Sequence, residues 1–116
     1  MKKNKVQELQ FKLMELASFN AFDGESVVKS LKEHTDLWSG AVMHDNRLLS
    51  LRDIHGGIWH ADTLHILPLE GKEDELISLA KEWSADEVDY IVGSDAESLL
   101  GQYGFGNVKI LRVWWD

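Results

Sequence analysis

The chain predicts an α+β domain, on three observations. Two stretches near its start carry apolar residues at helical spacing. Three short apolar runs bounded by turn residues follow. Strand and helix patterns then alternate to the end, organised around WHADTLHILPL at residues 59–69.

Residues 5–18 place Val6, Leu9, Leu13, Leu16 and Ala17 at the spacing of one buried helical stripe, which Phe11 and Met14 widen. Asp23 reads as the N-cap of a second helix running to His34, with Glu25 in its first turn where a negative charge suits the helix dipole. Val27, Val28 and Leu31 form its apolar side, and Gly24 is a weak residue at its start. Residues 38–43 and 47–52 read as a strand pair around the turn residues His44, Asp45 and Asn46. After a second turn at His55, Gly56 and Gly57, residues 59–67 complete an antiparallel meander. Pro68 cannot donate to a ladder and marks the strand's exit.

Residues 72–83 then read as a helix, with Leu76, Leu79, Ala80 and Trp83 on one face and three acids in the first turn. Residues 88–92 alternate as a strand. Ser94 to Glu97 spells a capping box for a short helix to about Gln102, which Gly101 and Gly104 can end. Residues 108–115 are apolar on both faces apart from Lys109 and Arg112, the pattern of an interior strand or of one paired with a second subunit. One domain over residues 1–116 is expected, with a mixed sheet of five to six strands flanked by helices. The element order is α-α-β-β-β-α-β-α-β, and a sixth strand needs residues 1–5 to supply it.

The chain has no cysteine, which removes disulfides, a thiol nucleophile and thiolate metal ligation, and points to reducing cytoplasm. The start MKKNKVQELQF has no apolar run behind its basic residues, so no signal peptide is expected. No stretch approaches the roughly 20 apolar residues of a membrane span. The net charge of −8 is concentrated: residues 70–97 hold ten acids and two bases, and the remainder is neutral. Such a surface disfavours nucleic acid and anionic lipid, and it suits a basic protein partner. Its plainer reading is solvated helix faces.

Two stretches and the element order resemble the GNAT acyltransferase superfamily over roughly residues 36–116. DTLHILP followed by Gly71, Lys72 and a helix looks like the family's central strand and cofactor loop. AESLLGQYGF at 96–105 is similar to its A-x-x-L-Y-x-x-x-G-F stretch through Ala96, Leu99, Gly104 and Phe105. The resemblance implies acyl-CoA binding through backbone amides at a helix N-terminus, with Leu67, Gly71 and Lys72 at the cofactor positions. The family's loop reads R/Q-x-x-G-x-G/A. Here Glu70 stands for the basic or amide residue, and Glu73 and Glu75 stand for both glycines. With Asp74, four carboxylates would face a pyrophosphate. One like-charge pair at about 4 Å and an effective dielectric of 20 costs about 4 kcal/mol. The family's thiolate-protonating tyrosine is replaced by Leu100, with Tyr103 three residues on. No cofactor is therefore expected, or acetyl-CoA if the chain is active.

Among other groupings, His55, His60 and His65 recur every five residues, but alternation on a strand turns His65 away from His60, so no metal site is expected. His60 and Asp62 share a strand face and form the candidate catalytic pair, a base with its orienting carboxylate. The glycine-rich run at 101–106 ends a helix rather than opening one, the wrong order for a phosphate loop. Among five tryptophans, adjacent Trp114 and Trp115 need two covered sides or a subunit interface, so a homodimer through the C-terminal strand is one expectation. Three functions stay open: a non-catalytic GNAT-like domain acting through protein contacts, an N-acyltransferase with an atypical cofactor loop, and a small-molecule binder in the vacated cofactor cleft.

Overall fold

The computed structural model describes residues 4–19, 21–44, 51–57, 61–101 and 107–115. Helix α1 (Lys5–Leu16) leads through the short antiparallel strands β1 (Ser18–Phe19) and β2 (Phe22–Asp23) into α2 (Gly24–Glu33). Asn4 caps α1 by accepting from the Gln7 amide at 2.9 Å. Asp23 caps α2 as expected, accepting from both the amide and the hydroxyl of Ser26. Gly24 has a packing reason: a Cβ there would lie 1.8 Å from the Met14 carbonyl oxygen. A side chain is excluded where the start of α2 meets the end of α1.

Strand β3 (Trp38–His44) pairs directly with β4 (Thr63–Pro68). The predicted middle strand at 47–52 is overturned in its described part, because Leu51 and Arg52 open helix α3 (Leu51–Gly56). Leucine and arginine are strong helix formers, and Ile54 is the one β-branched residue in that helix. Gly57, with φ +68, closes the helix in the left-handed region. The strand predicted from residue 59 begins at Thr63, and residues 58–60 lie outside the described set.

Helix α4 (Glu73–Ala80) continues as a single 3₁₀ turn, Lys81–Trp83. Strand β5 (Glu87–Val92), helix α5 (Gly93–Leu100) and strand β6 (Lys109–Trp114) complete the described chain. The capping box at Ser94 does not form; the residue before α5 is Val92, without a side-chain cap bond. Gly101 ends α5 at φ +80, its amide on the Glu97 carbonyl.

The main sheet has the order β3-β4-β6-β5, and every neighbouring pair is antiparallel. The expected mixed sheet of five to six strands is therefore corrected to four antiparallel strands among the described residues, beside the small β1–β2 ladder. β4 and β5 do run parallel, but β6 is inserted between them and antiparallel to both. β6 buries Leu111 and Val113 on the core face, and β4 and β5 cover its two edges. Both edges of β6 are thus paired within the described sheet.

One face of the sheet carries the core. Leu64, Ile66, Leu111 and Val113 pack there against Phe11, Met14, Val28, Leu31 and Leu76. Buried tryptophans each place a ring N–H on an oxygen: Trp38 on the Leu31 carbonyl at 2.8 Å, Trp115 on the Trp83 carbonyl at 3.0 Å. The second face is covered in part by α5, where Ala96 and Ile110 are buried outside the main core.

α1 buries a different stripe from the one its spacing predicts. Gln7, Phe11, Met14 and Ala17 face inward, while Val6, Leu9, Leu13 and Leu16 are 78, 61, 37 and 71 % exposed. β3 is an edge strand whose outer backbone groups are covered by α1. Gln7 donates Nε2 to the Ala41 carbonyl at 2.7 Å and accepts from the Ala41 amide at 2.8 Å. Gln10 accepts from the Met43 amide at 2.9 Å. Aliphatic side chains could not satisfy those three backbone groups, so the face bearing the glutamines turns inward.

Candidate functional site

The turn expected to meet a cofactor is occupied by its own side chains. Gly71 takes φ +81, the conformation that lets the chain turn from β4 into α4. Its amide donates to Glu73 Oε1 at 2.8 Å, and the Lys72 amide donates to the Leu69 carbonyl. Lys72 Nζ lies 3.5 Å from Glu75 Oε1. An incoming phosphate would have to displace a carboxylate from the Gly71 amide and a carbonyl from the Lys72 amide. The phenol of Tyr90 donates to the Glu73 carbonyl at 2.6 Å. Burial, then the charges of Glu73 and Asp74, push its pKa up to about 12, so the phenol stays protonated at neutral pH.

Of the predicted base pair, the described residues include Asp62 alone. His60 lies outside them. Asp62 accepts from Thr63 Oγ1 at 2.7 Å and from Trp114 Nε1 at 3.4 Å, and its carbonyl accepts from the Trp115 amide at 3.0 Å. It holds the end of β6 against the start of β4. His55 lies in the last turn of α3 and His65 in mid-β4, and no group of three acids or histidines among the described residues is placed to hold a metal ion. Tyr103, Gly104 and Phe105 also lie outside the described residues.

Leu67 does not join Gly71 and Lys72. It faces the second side of the sheet and helps line a cleft of about 280 Å³ between β3, β4, β6 and α5. Gly40 forms part of the floor, and Val42, Leu99, Leu100 and Ile110 supply aliphatic walls. His65, 8 % exposed, is the one titratable side chain among the described residues that line it. The antiparallel register sets His65 opposite Val42 on one side and Arg112 on the other, with Asp89 beyond. Arg112 holds Asp89 through two nitrogens, at 3.0 and 3.1 Å, and Glu87 at 2.8 Å. Those hydrogen bonds raise its pKa further above the ordinary guanidinium value.

A second groove, between the end of α2 and α4, is lined by Leu37, Asp74, Glu75, Leu79 and Glu82. Its acids belong to the charged segment singled out in the sequence. No described helix is long and apolar enough to cross a membrane.

Gln7, Gly40 and Arg112 carry this geometry without being singled out as site residues. The available signal was on α1, where Gln7 and Gln10 sit one turn apart beside Phe11 and Met14. No family model matches the chain, no curated protein matches it in sequence, and no solved structure matches it in fold.

Proposed function

We propose that this chain is a non-catalytic domain that works through protein contacts, GNAT-like in descent and without acyl-CoA chemistry. The observation that carries the reading is the exposed stripe on α1. Val6, Leu9, Leu13 and Leu16 repeat at steps of three and four residues, the spacing at which one amphipathic helix packs along another. A soluble chain gains nothing by showing water three largely exposed aliphatic side chains in one row, and such rows mark contact surfaces. The acidic surface on α4 and β5 adds a second feature suited to a basic partner.

Against the acyltransferase alternative stand Glu73, whose carboxylate already holds the Gly71 amide, and Asp62, spent on Thr63 and Trp114. GNAT-like descent is supported by the passage from β4 through a glycine turn into a helix. The antiparallel neighbour beside β4 departs from the partly parallel sheet that the resemblance implies.

Two measurements test the reading. Calorimetric titration with acetyl-CoA is expected to give no saturable heat, and binding in the micromolar range would overturn the non-catalytic half. Sedimentation equilibrium of the whole chain is expected to show self-association through α1 that Leu9→Ser with Leu16→Ser abolishes. Association unaffected by the pair would remove α1 as the contact.

A further inference from the structure

We infer that α1 docks into the groove between α2 and α4 of a second copy of this chain, with lysines of one helix facing glutamates of the other. The inference rests on the reading of α1 as a contact surface and adds what that surface meets.

The border of the α1 stripe is the first observation. Lys5, Leu9 and Lys12 follow one another at steps of four and three residues, so they share one face of the helix. All three are exposed. The opposite flank of the stripe turns toward β3 with Gln7 and Gln10. The lysine flank is therefore the one a partner can approach.

The second observation is the same pattern with the opposite charge. Glu75, Leu79 and Glu82 stand at the same steps of four and three, and all three line the groove, whose volume is about 440 Å³. Leu79 packs against the edge of the core beside buried Leu37, which gives the groove an apolar floor. Glu75 and Glu82 are exposed at its rim. Glu75 meets Lys72 at 3.5 Å, a solvated pair that an incoming lysine can join.

The two patterns match in length. From Lys5 to Lys12 a helix advances about 10.5 Å. From Glu75 to Glu82 the advance is about 11.5 Å, because the last two steps lie in the 3₁₀ turn with its longer rise. With Leu9 set over Leu79, both lysines reach a glutamate whichever way the docked helix runs.

Charge selects the groove over a second α1. Each chain carries −8, so two copies repel unless a cationic patch of one meets an acidic patch of the other. Two α1 helices laid antiparallel about a two-fold axis would set lysine against lysine, a costly juxtaposition. The groove lies in the acid-rich segment and offers those lysines opposite charge. The contact joins unlike surfaces, which makes it heterologous.

The test is sedimentation velocity of the whole chain and of charge-swapped variants. Glu75→Lys with Glu82→Lys leaves α1 intact, and self-association is expected to weaken at least roughly tenfold. Lys5→Glu with Lys12→Glu should weaken it as much. Mixing these two variants should restore assembly, because each then meets its opposite charge, and one chain with all four substitutions should associate like wild type. The four positions are exposed, so the far-ultraviolet circular dichroism of every variant is expected to be unchanged. Raising the salt from about 50 to about 500 mM should weaken the wild-type assembly severalfold. The inference is overturned if the Glu75→Lys, Glu82→Lys chain associates as tightly as wild type, or if mixing restores nothing. Either result, alongside association lost in the Leu9→Ser, Leu16→Ser chain, would leave α1 a contact surface with another target. A wild-type chain that stays monomeric would remove self-association through α1 together with this inference.

Discussion

The two edges of the main sheet face the same difficulty and meet it in different ways. Among the described residues, β3 and β5 each present a row of backbone groups with no neighbouring strand. At β3 a helix covers the row, and two glutamine side chains bond with the exposed peptide groups as a further strand would. At β5 the edge stays in water and is guarded by charge: Glu87 and Asp89, each more than half exposed, are held by Arg112 from the next strand. The contrast teaches that burial, not pairing, sets the demand. A covered edge needs amide partners at particular atoms, because a buried unmet donor or acceptor is expensive. A wet edge needs only residues that discourage another strand.

The largest effect should come from breaking the covered edge. Gln7→Leu keeps the bulk of the side chain and removes both partners of Ala41. We expect a loss of about 3 kcal/mol in denaturant unfolding and fast hydrogen exchange at the Ala41 amide. A loss below about 1 kcal/mol would mean that water reaches this edge and the two edges are alike. Gln10→Ala removes one partner, that of the Met43 amide, in a less enclosed place, with an expected loss of about 1 kcal/mol.

On the β5 side, Tyr90→Phe removes the bond that ties α4 to this strand, again worth about 1 kcal/mol at neutral pH. Here the two edges separate by pH. The folded-state pKa of Tyr90 is raised from 10.0 to about 12, so its contribution is complete below pH 10 and is lost as the pH rises through 12. The gap between wild type and Tyr90→Phe should therefore close across that range, while the gap for Gln7→Leu should not move. Parallel curves would refute the buried neutral phenol.

Arg112→Met should cost about 0.5 kcal/mol, because its partners are solvated, and the difference should shrink in 1 M salt. The smallest effect belongs to the outer face of α1. Leu9→Ser with Leu16→Ser should leave the stability of the monomer within about 0.5 kcal/mol, since neither residue is in the core. A loss of several kcal/mol would place those leucines inside the fold and end the contrast between the two faces of the helix.

Much of the local structure was legible. Asp23 announced α2, and the spacing of Leu76, Leu79, Ala80 and Trp83 announced a helix over 72–83, of which α4 takes 73–80 and a 3₁₀ turn the rest. The apolar run of β6 announced an interior strand or one paired with a second subunit, and the structure sets it between β4 and β5. The middle strand of the meander was misread because the run around Leu51 is apolar without strict alternation, and leucine serves a helix as well as a strand. The stripe on α1 was misread because Phe11 and Met14 make the helix apolar around more than half its girth. Of the candidate site, the crowding of carboxylates around the turn at 71–75 was legible, since those residues are neighbours in sequence. The cleft was not, because Gly40, His65, Leu99 and Ile110 come from four separate elements.

The sequence by itself determined which segments are helices and strands in most of the chain, where the negative charge gathers, and that the turn at 71–75 carries carboxylates against its own amides. These follow from near neighbours along the backbone. Only the tertiary structure decided that β6 enters between β4 and β5, that α1 hides its glutamines and shows its leucines, and that Gly40 opens a floor beneath His65. Each of those depends on what a distant strand requires or leaves vacant, and a helix with two apolar faces does not contain that information.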